Sequence, residues 1–225
     1  MNTIELIGPP GAGKSTYVSN EYNSAQVYAG RNDWHRCFLK SMPGRAILTN
    51  LPQSLQNRLI QLVVSRVRGQ YERQFLCKYP GLLETIAPII RHYEDKNDVL
   101  YYILREAAWF EIHSDRLTDN ETYVIDDGLY QFHLRLMPLD GWDASRIMDR
   151  LPLPDKFVLI DAPADVCLDR QDARPRGRVP TIEGLTRSKA IDEIELMREN
   201  SKRFIQEAEN RGVEVETIDT SPDSK

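Results

Sequence analysis

The sequence predicts an α/β fold: a parallel sheet of about five strands covered by helices, with one long helical insertion between the second and third strands. Three observations predict it. Short apolar, β-branched runs occur near both ends of the chain, at Thr3 to Ile7, Ala25 to Ala29, Thr122 to Asp127, Lys156 to Asp161 and Val213 to Ile218. Two of these, TYVIDD and KFVLID, are too apolar on both faces to be half-exposed, as in strands covered on both sides. Residues 31–120 carry helical spacing and no clear strand.

The first run ends at Gly8, and KSTYVSNEY after Gly13 reads as a helix. The second run is short. In the insertion, Leu55, Leu59, Leu62, Val63, Arg66 and Val67 recur at spacings of three and four, the signature of one helix face. Another helix begins near Asn97, with Val99, Leu100, Ile103, Leu104, Ala107 and Ala108 on one side. A short helix is predicted from Leu129. Asp161 to Asp172 reads as a helix with Asp161 as N-cap and Pro163 in its first turn. A last helix runs from Ile182 to about Arg211 and closes at Gly212, and the tail from Asp219 is expected to fray. The reading is of one domain over residues 1–225, with a core of 1–30 and 120–220, an insertion of 31–120 and a lid at about 170–180.

Composition narrows the function. A net charge of -5 over 225 residues argues against a nucleic-acid or membrane coat, so neither is expected as a partner. Cys37, Cys77 and Cys167 have no metal-ligand or disulfide-framework spacing and read as reduced thiols of a cytoplasmic protein. No export signal or long uncharged apolar stretch is evident. His92, His113 and His133 lack metal-ligand spacing and read as structural or exposed.

Gly8, Pro9, Pro10, Gly11, Ala12, Gly13, Lys14, Ser15 and Thr16 form a G-x-x-x-x-G-K-S loop between a strand and a helix. A triphosphate is held by several backbone N–H groups converging on one hollow, and glycines let the backbone turn and approach that closely. The following helix aims its positive end at the same place. Lys14 brings a full charge to the β and γ phosphates, and the Ser15 hydroxyl can ligate Mg²⁺. The competing reading, a glycine-rich turn without function, explains neither the strand before nor the helix after.

Such a loop works with a carboxylate at the end of a neighbouring strand, and YVIDDG offers Asp126 and Asp127. Strand alternation lets only one of them face the phosphates; N-capping the next helix is the structural alternative. Downstream, Arg170, Arg174, Arg176 and Arg178 lie close together around Pro175 and Gly177, as on a lid that closes over a migrating phosphoryl group. The bland alternative pairs them with Asp169 and Asp172. In the insertion, Arg31, Asp33, Trp34 and Arg36 could serve an acceptor as anion sites, base and stacking surface, or form an ordinary loop with Trp34 in the core. Arg105, with Tyr101, Tyr102 and Trp109, is a possible inward-facing set or simply core.

Together GPPGAGKST, VIDDG and DAPADVCLDRQDARPRGR resemble the P-loop nucleoside monophosphate kinase superfamily, most closely its thymidylate kinase and deoxynucleoside kinase branches. The resemblance covers the core. It implies a P-loop NTPase three-layer sandwich with strand order 2-3-1-4-5, and it selects Asp127 over Asp126 as the metal-side acid. It implies ATP and Mg²⁺, with Lys14, Asp127, Arg170, Arg174 and Arg178 as catalytic residues and Ser15 and Asp127 at the metal. Two positions depart from the pattern: Gly128 stands where thymidylate and deoxynucleoside kinases carry an arginine, and Gln131 where the adenylate kinase motif ends in one. The expected activity is transfer of the ATP γ-phosphoryl to a small acceptor, a nucleotide or nucleoside first. A sugar, a lipid-linked intermediate or an antibiotic is the alternative acceptor. A regulatory P-loop ATPase acting through a protein partner is the alternative class, and a homodimer is allowed.

Overall fold

Asn2–Ile7 forms the first strand, β1, and its apolar run disappears into the interior: Leu6 and Ile7 are wholly buried. The structure, a computed structural model, describes residues 1–22, 24, 26–29, 37, 52–92, 96–126, 128–134, 143–175 and 177–222. Helix α1 follows at Lys14–Glu21, β2 at Val27–Ala29, and then α2 (Gln53–Lys78), α3 (Gly81–His92) and α4 (Lys96–Arg116). Strand β3 is Thr122–Ile125, followed by α5 (Leu129–Leu134) and α6 (Ala144–Met148). The chain closes with β4 (Lys156–Asp161), α7 (Ala164–Asp172), α8 (Arg187–Asn210) and β5 (Glu214–Asp219). The five strands form one parallel sheet in the order β2-β3-β1-β4-β5, as the sequence predicts. Register pairs Ile4 with Lys156 and Ile7 with Leu159 between β1 and β4, and Lys156 with Glu214 between β4 and β5.

Two compact units divide the chain. One comprises Met1–Asn2, Ser24–Tyr123 and Ile147–Pro152; the other comprises Thr3–Asn23, Val124–Arg146 and Leu153–Lys225.

The unit that carries β1 is built on β4, whose Phe157, Val158, Leu159 and Ile160 are buried because helices cover the strand. Tyr130 of α5, Phe157 of β4 and Phe204 of α8 form an aromatic cluster with ring centroids 5.3–5.4 Å apart. Helix α8 presents Ala190, Ile194, Met197, Ser201, Phe204, Ile205 and Ala208 as one buried stripe at helical spacing. The start of β1 is pinned by Asp155, which accepts from the Thr3 N–H at 2.7 Å and the Thr3 hydroxyl at 2.8 Å.

In the helical unit, Tyr71 and Phe75 of α2, Leu82 and Ile86 of α3, and Ile103, Ala107, Ala108 and Ile112 of α4 are buried. Phe75 meets Phe110 edge-on at 6.0 Å, and Lys78 reaches the buried Glu111 at 3.3 Å. His113 stacks on Tyr123 at 3.8 Å.

The elements differ from expectation at several points. The sequence places Leu55 and Leu62 with the apolar face of α2, but both are exposed, Leu62 by 62%; among the described side chains of this helix, Tyr71 and Phe75 are the buried apolar ones. Helix α7 begins at Ala164, capped by Pro163, and Asp161 is the last residue of β4, so it is not a helix cap. Helix α8 begins at Arg187 and not at Ile182, because Gly184 adopts φ +73° in the turn before it.

Candidate functional site

The loop from Gly8 to Thr16 lies within a single unit, between β1 and α1. Two of its glycines are required by close packing. A Cβ on Gly8 would sit 2.2 Å from the Ile160 carbonyl oxygen of β4, and one on Gly11 would sit 2.2 Å from the Cys167 carbonyl oxygen of α7. Their φ values of +147° and +94° lie in the region open to glycine. No side chain caps α1 at Gly13, so the positive end of the helix faces the loop. The Lys14 ammonium folds back across the loop, donating to the Gly8 carbonyl at 2.6 Å and the Pro9 carbonyl at 3.2 Å. Ser15 and Thr16 are exposed on the first turn of α1.

Arg170, on the last turn of α7, lies against the loop. One guanidinium nitrogen donates to the carbonyls of Gly11 at 3.4 Å and Ala12 at 3.3 Å and to the Thr220 hydroxyl at 3.2 Å; the other donates to the Thr220 carbonyl at 2.6 Å. The Thr220 hydroxyl, just past β5, in turn donates to the Ala12 carbonyl at 2.6 Å. The expected fraying of the tail therefore fails at its first residues: Asp219 belongs to β5 and Thr220 is tied to the loop. Burial pushes the Cys167 thiol up to about 11, against the pull of the Arg170 and Lys14 charges, so it stays protonated. Cys37, Cys77 and Cys167 form no disulfide among the described residues.

Asp161, at the C-terminal end of β4, is held by Arg198 of α8 through a two-pronged pair of 2.5 and 2.9 Å, with Lys202 at 3.5 Å. Burial pushes this carboxyl up, but the Arg198 bonds and charge, with those of Lys202, outweigh it and hold it below its usual value. Past α7, Arg178 grips Asp172 at 2.5 and 3.0 Å and donates to the Leu185 carbonyl at 2.8 Å. Arg174 lies in the turn after the helix, where its carbonyl accepts from the Gly177 N–H at 2.9 Å. Arg176 lies outside the described residues.

Among the acid candidates, Asp126 occupies the bend after β3, and Asp127 lies outside the described residues. Among the acceptor candidates, Arg31, Asp33, Trp34 and Arg36 also lie outside them. Arg105 is on α4, paired with the buried Glu106 at 2.7 Å and stacked over Tyr102 at 4.2 Å. Tyr101 does not point inward beside it: it is 49% exposed and accepts a hydrogen bond from Arg68 at 2.8 Å. Among the described residues no cluster of three or more His, Cys, Asp or Glu could hold a metal ion. The oxygen donors Ser15 and Asp126 are of the type Mg²⁺ takes, one or two protein ligands with phosphates completing the shell. No helix among the described residues is long and apolar enough to cross a membrane.

Neither a protein-family profile nor a curated protein matches the chain. Solved structures do. The deoxyadenosine kinase from M. mycoides with bound dATP superposes with a TM-score of 0.50 at 12% identity, covering 97% of this chain and 91% of that one. The same enzyme with the products dCMP and a flexible dCDP gives 0.51 at 13%, covering 96% and 90%. The chain has the fold of the P-loop nucleoside kinases. At this identity the likeness is one of architecture, and the chemistry rests on this chain's own residues.

Sequence reasoning passed over three contributors to the loop. Glu5 lies inside the apolar run of β1, and its charge among TIELI was the available signal. Gln131 registered only as a departure from a motif, and Thr220 carried no signal at all. The Gly8 N–H donates to the Gln131 side-chain oxygen at 3.1 Å, and Glu5 accepts from the Tyr130 N–H at 2.9 Å.

Proposed function

We propose that the chain is an ATP-dependent phosphotransferase that moves the γ-phosphoryl of ATP to a small acceptor, a nucleoside or nucleotide first. The observation that carries the reading is the loop itself. Glycines at positive φ press against β4 and α7, α1 opens uncapped behind them, and Lys14 folds across the hollow. The fold supports a nucleoside or nucleotide acceptor, because the matching structures are of a deoxyadenosine kinase.

In this reading, Gly8 to Thr16 bind the triphosphate through backbone N–H groups, and Lys14 exchanges its two carbonyl partners for the β and γ phosphates. Its charge then neutralises what develops as the γ-phosphoryl leaves ADP for an acceptor oxygen. Ser15 with Asp127, or Asp126, would hold Mg²⁺, which would supply positive charge to the bound phosphates. Arg170 already lies on the loop wall, while Arg174 and Arg178 stand on the segment after α7 and would close over the transferring group. Arg178 does so by leaving Asp172. Arg31, Asp33, Trp34, Arg36 and Arg105 are the acceptor candidates.

The test is to mix the purified chain with Mg²⁺ and ATP and a panel of nucleosides, nucleoside monophosphates and sugars, following ADP and the mass of each acceptor. A nucleoside or nucleotide should both raise ADP formation and gain the mass of one phosphoryl group. Phosphorylation of a sugar alone would reassign the acceptor class. ATP turnover stimulated by no small molecule would overturn the kinase reading.

A further inference from the structure

Gly8 opens the phosphate-binding loop, and its N–H is held from outside the loop by Gln131, the third residue of α5. Gln131 is itself only 3% exposed, so this amide–carbonyl contact is made away from water. What fixes Gln131 is Glu5, a buried carboxylate at 2% exposure in the middle of β1. One Glu5 carboxylate oxygen accepts from the Tyr130 N–H at 2.9 Å and from the Gln131 N–H at 3.2 Å. A carboxylate buried in an apolar strand is costly unless it is hydrogen-bonded, so the beginning of α5 and the centre of β1 are tied together.

Gly128 completes the arrangement. A Cβ there would lie 2.6 Å from the Glu5 carboxylate oxygen, 2.7 Å from its carboxyl carbon and 2.5 Å from the Ile125 side chain. The carboxylate is pinned by two N–H groups and cannot swing aside cheaply. Position 128, directly after the Asp126–Asp127 pair, therefore has no room for any side chain. The segment carrying the acids, the strand leading into the loop and the loop's first residue are joined by four groups: Gly128, Glu5, Gln131 and Gly8.

We propose that Gln131 is a positioning residue for the phosphate-binding loop, held by Glu5 in the space that Gly128 leaves, so that the loop is set before nucleotide arrives. The proposal rests on the reading of this loop as a triphosphate site. It concerns ATP binding and not the identity of the acceptor, and neither Gln131 nor Glu5 needs to touch substrate.

Two variants and two readouts test it on the full chain. Gln131→Leu removes the acceptor for the Gly8 N–H at nearly constant volume; Gly128→Ala pushes on the Glu5 carboxylate without changing any residue of the loop. Each should weaken Mg²⁺-ATP binding, read by calorimetry, about tenfold, equivalent to about 1.4 kcal/mol. Each should also speed hydrogen exchange of the Gly8 amide in the nucleotide-free chain. The double variant should lose no more affinity than the worse single one, because both act through one chain of contacts. Additive losses, or Gly8 exchange at the wild-type rate in the folded Gln131→Leu chain, would overturn the proposal. If one variant does not fold, the other still decides through the same pair of readouts. A wild-type chain that binds no ATP would remove the kinase reading instead, and the Gly8 exchange would still judge the contact.

Discussion

Lys14 illustrates what single residues do at this site. Its ammonium satisfies the Gly8 and Pro9 carbonyls without phosphate, so it is held over the hollow and needs only to change partners when a triphosphate enters. Lys14→Ala should lower turnover of the best acceptor at least 10²–10³-fold, the size expected for removing one preorganised charge donor. Its melting temperature should stay within a few degrees of wild type, since the side chain packs no core. Near-normal turnover in a folded Lys14→Ala chain would show that the loop is not the catalytic centre. The loop itself was readable in advance because backbone turning, helix polarity and lysine charge are local properties. Asp161 was misread for a related reason: Asp two residues before a proline looks like a helix cap, and only α8, bringing Arg198 and Lys202 to it, makes it an ion-pair partner at a strand end.

At the scale of elements, burial separates residues that look alike in sequence. Phe204 is wholly buried on α8 against Tyr130 and Phe157, whereas Leu62 on α2 is mostly exposed. Phe204→Ala should cost about 3–5 kcal/mol, while Leu62→Ser should change stability by less than about 0.5 kcal/mol. Urea unfolding of both variants checks the contrast, and comparable losses would show that Leu62 is covered in solution. Periodicity found α4, where Ile103, Ala107 and Ala108 of the expected face are buried, and most of the length of α8. It misassigned Leu55 and Leu62 of α2, because periodicity reports that a face exists and not how far along the helix a partner covers it.

At the scale of the whole molecule, stability should depend on pH through groups the fold buries. His133, bonded through Nδ1 to the Leu129 carbonyl, is fully buried, and burial pushes its pKa down to about 4 against the pull of that bond. The unfolded chain takes up this proton near pH 6.5 and the folded chain does not. Stability from this group is therefore complete above pH 6.5 and falls as pH drops toward 4, by about 2 kcal/mol at pH 5. The depressed Asp161 carboxyl acts later, and its contribution is lost only as pH falls below the ordinary carboxylate range. Unfolding free energies at pH 7 and pH 5 should differ less in His133→Leu than in wild type, whatever the variant's starting stability. Equal differences in the two chains would mean that His133 is protonated in the folded state.

The sequence by itself determined the five strands, most of the helices between them and the loop from Gly8 to Thr16, and a resemblance supplied the order of the sheet. The strands, helices and loop follow from interactions within a few residues: side-chain alternation, helical spacing and glycine turns. The tertiary structure decided what holds that loop. Gln131 meets Gly8 across 123 positions of chain, and Thr220 meets Ala12 across 208. No local pattern records such contacts, because they come into being only when β1, β4 and β5 lie side by side and bring α5, α7 and the chain beyond β5 to one end of the sheet.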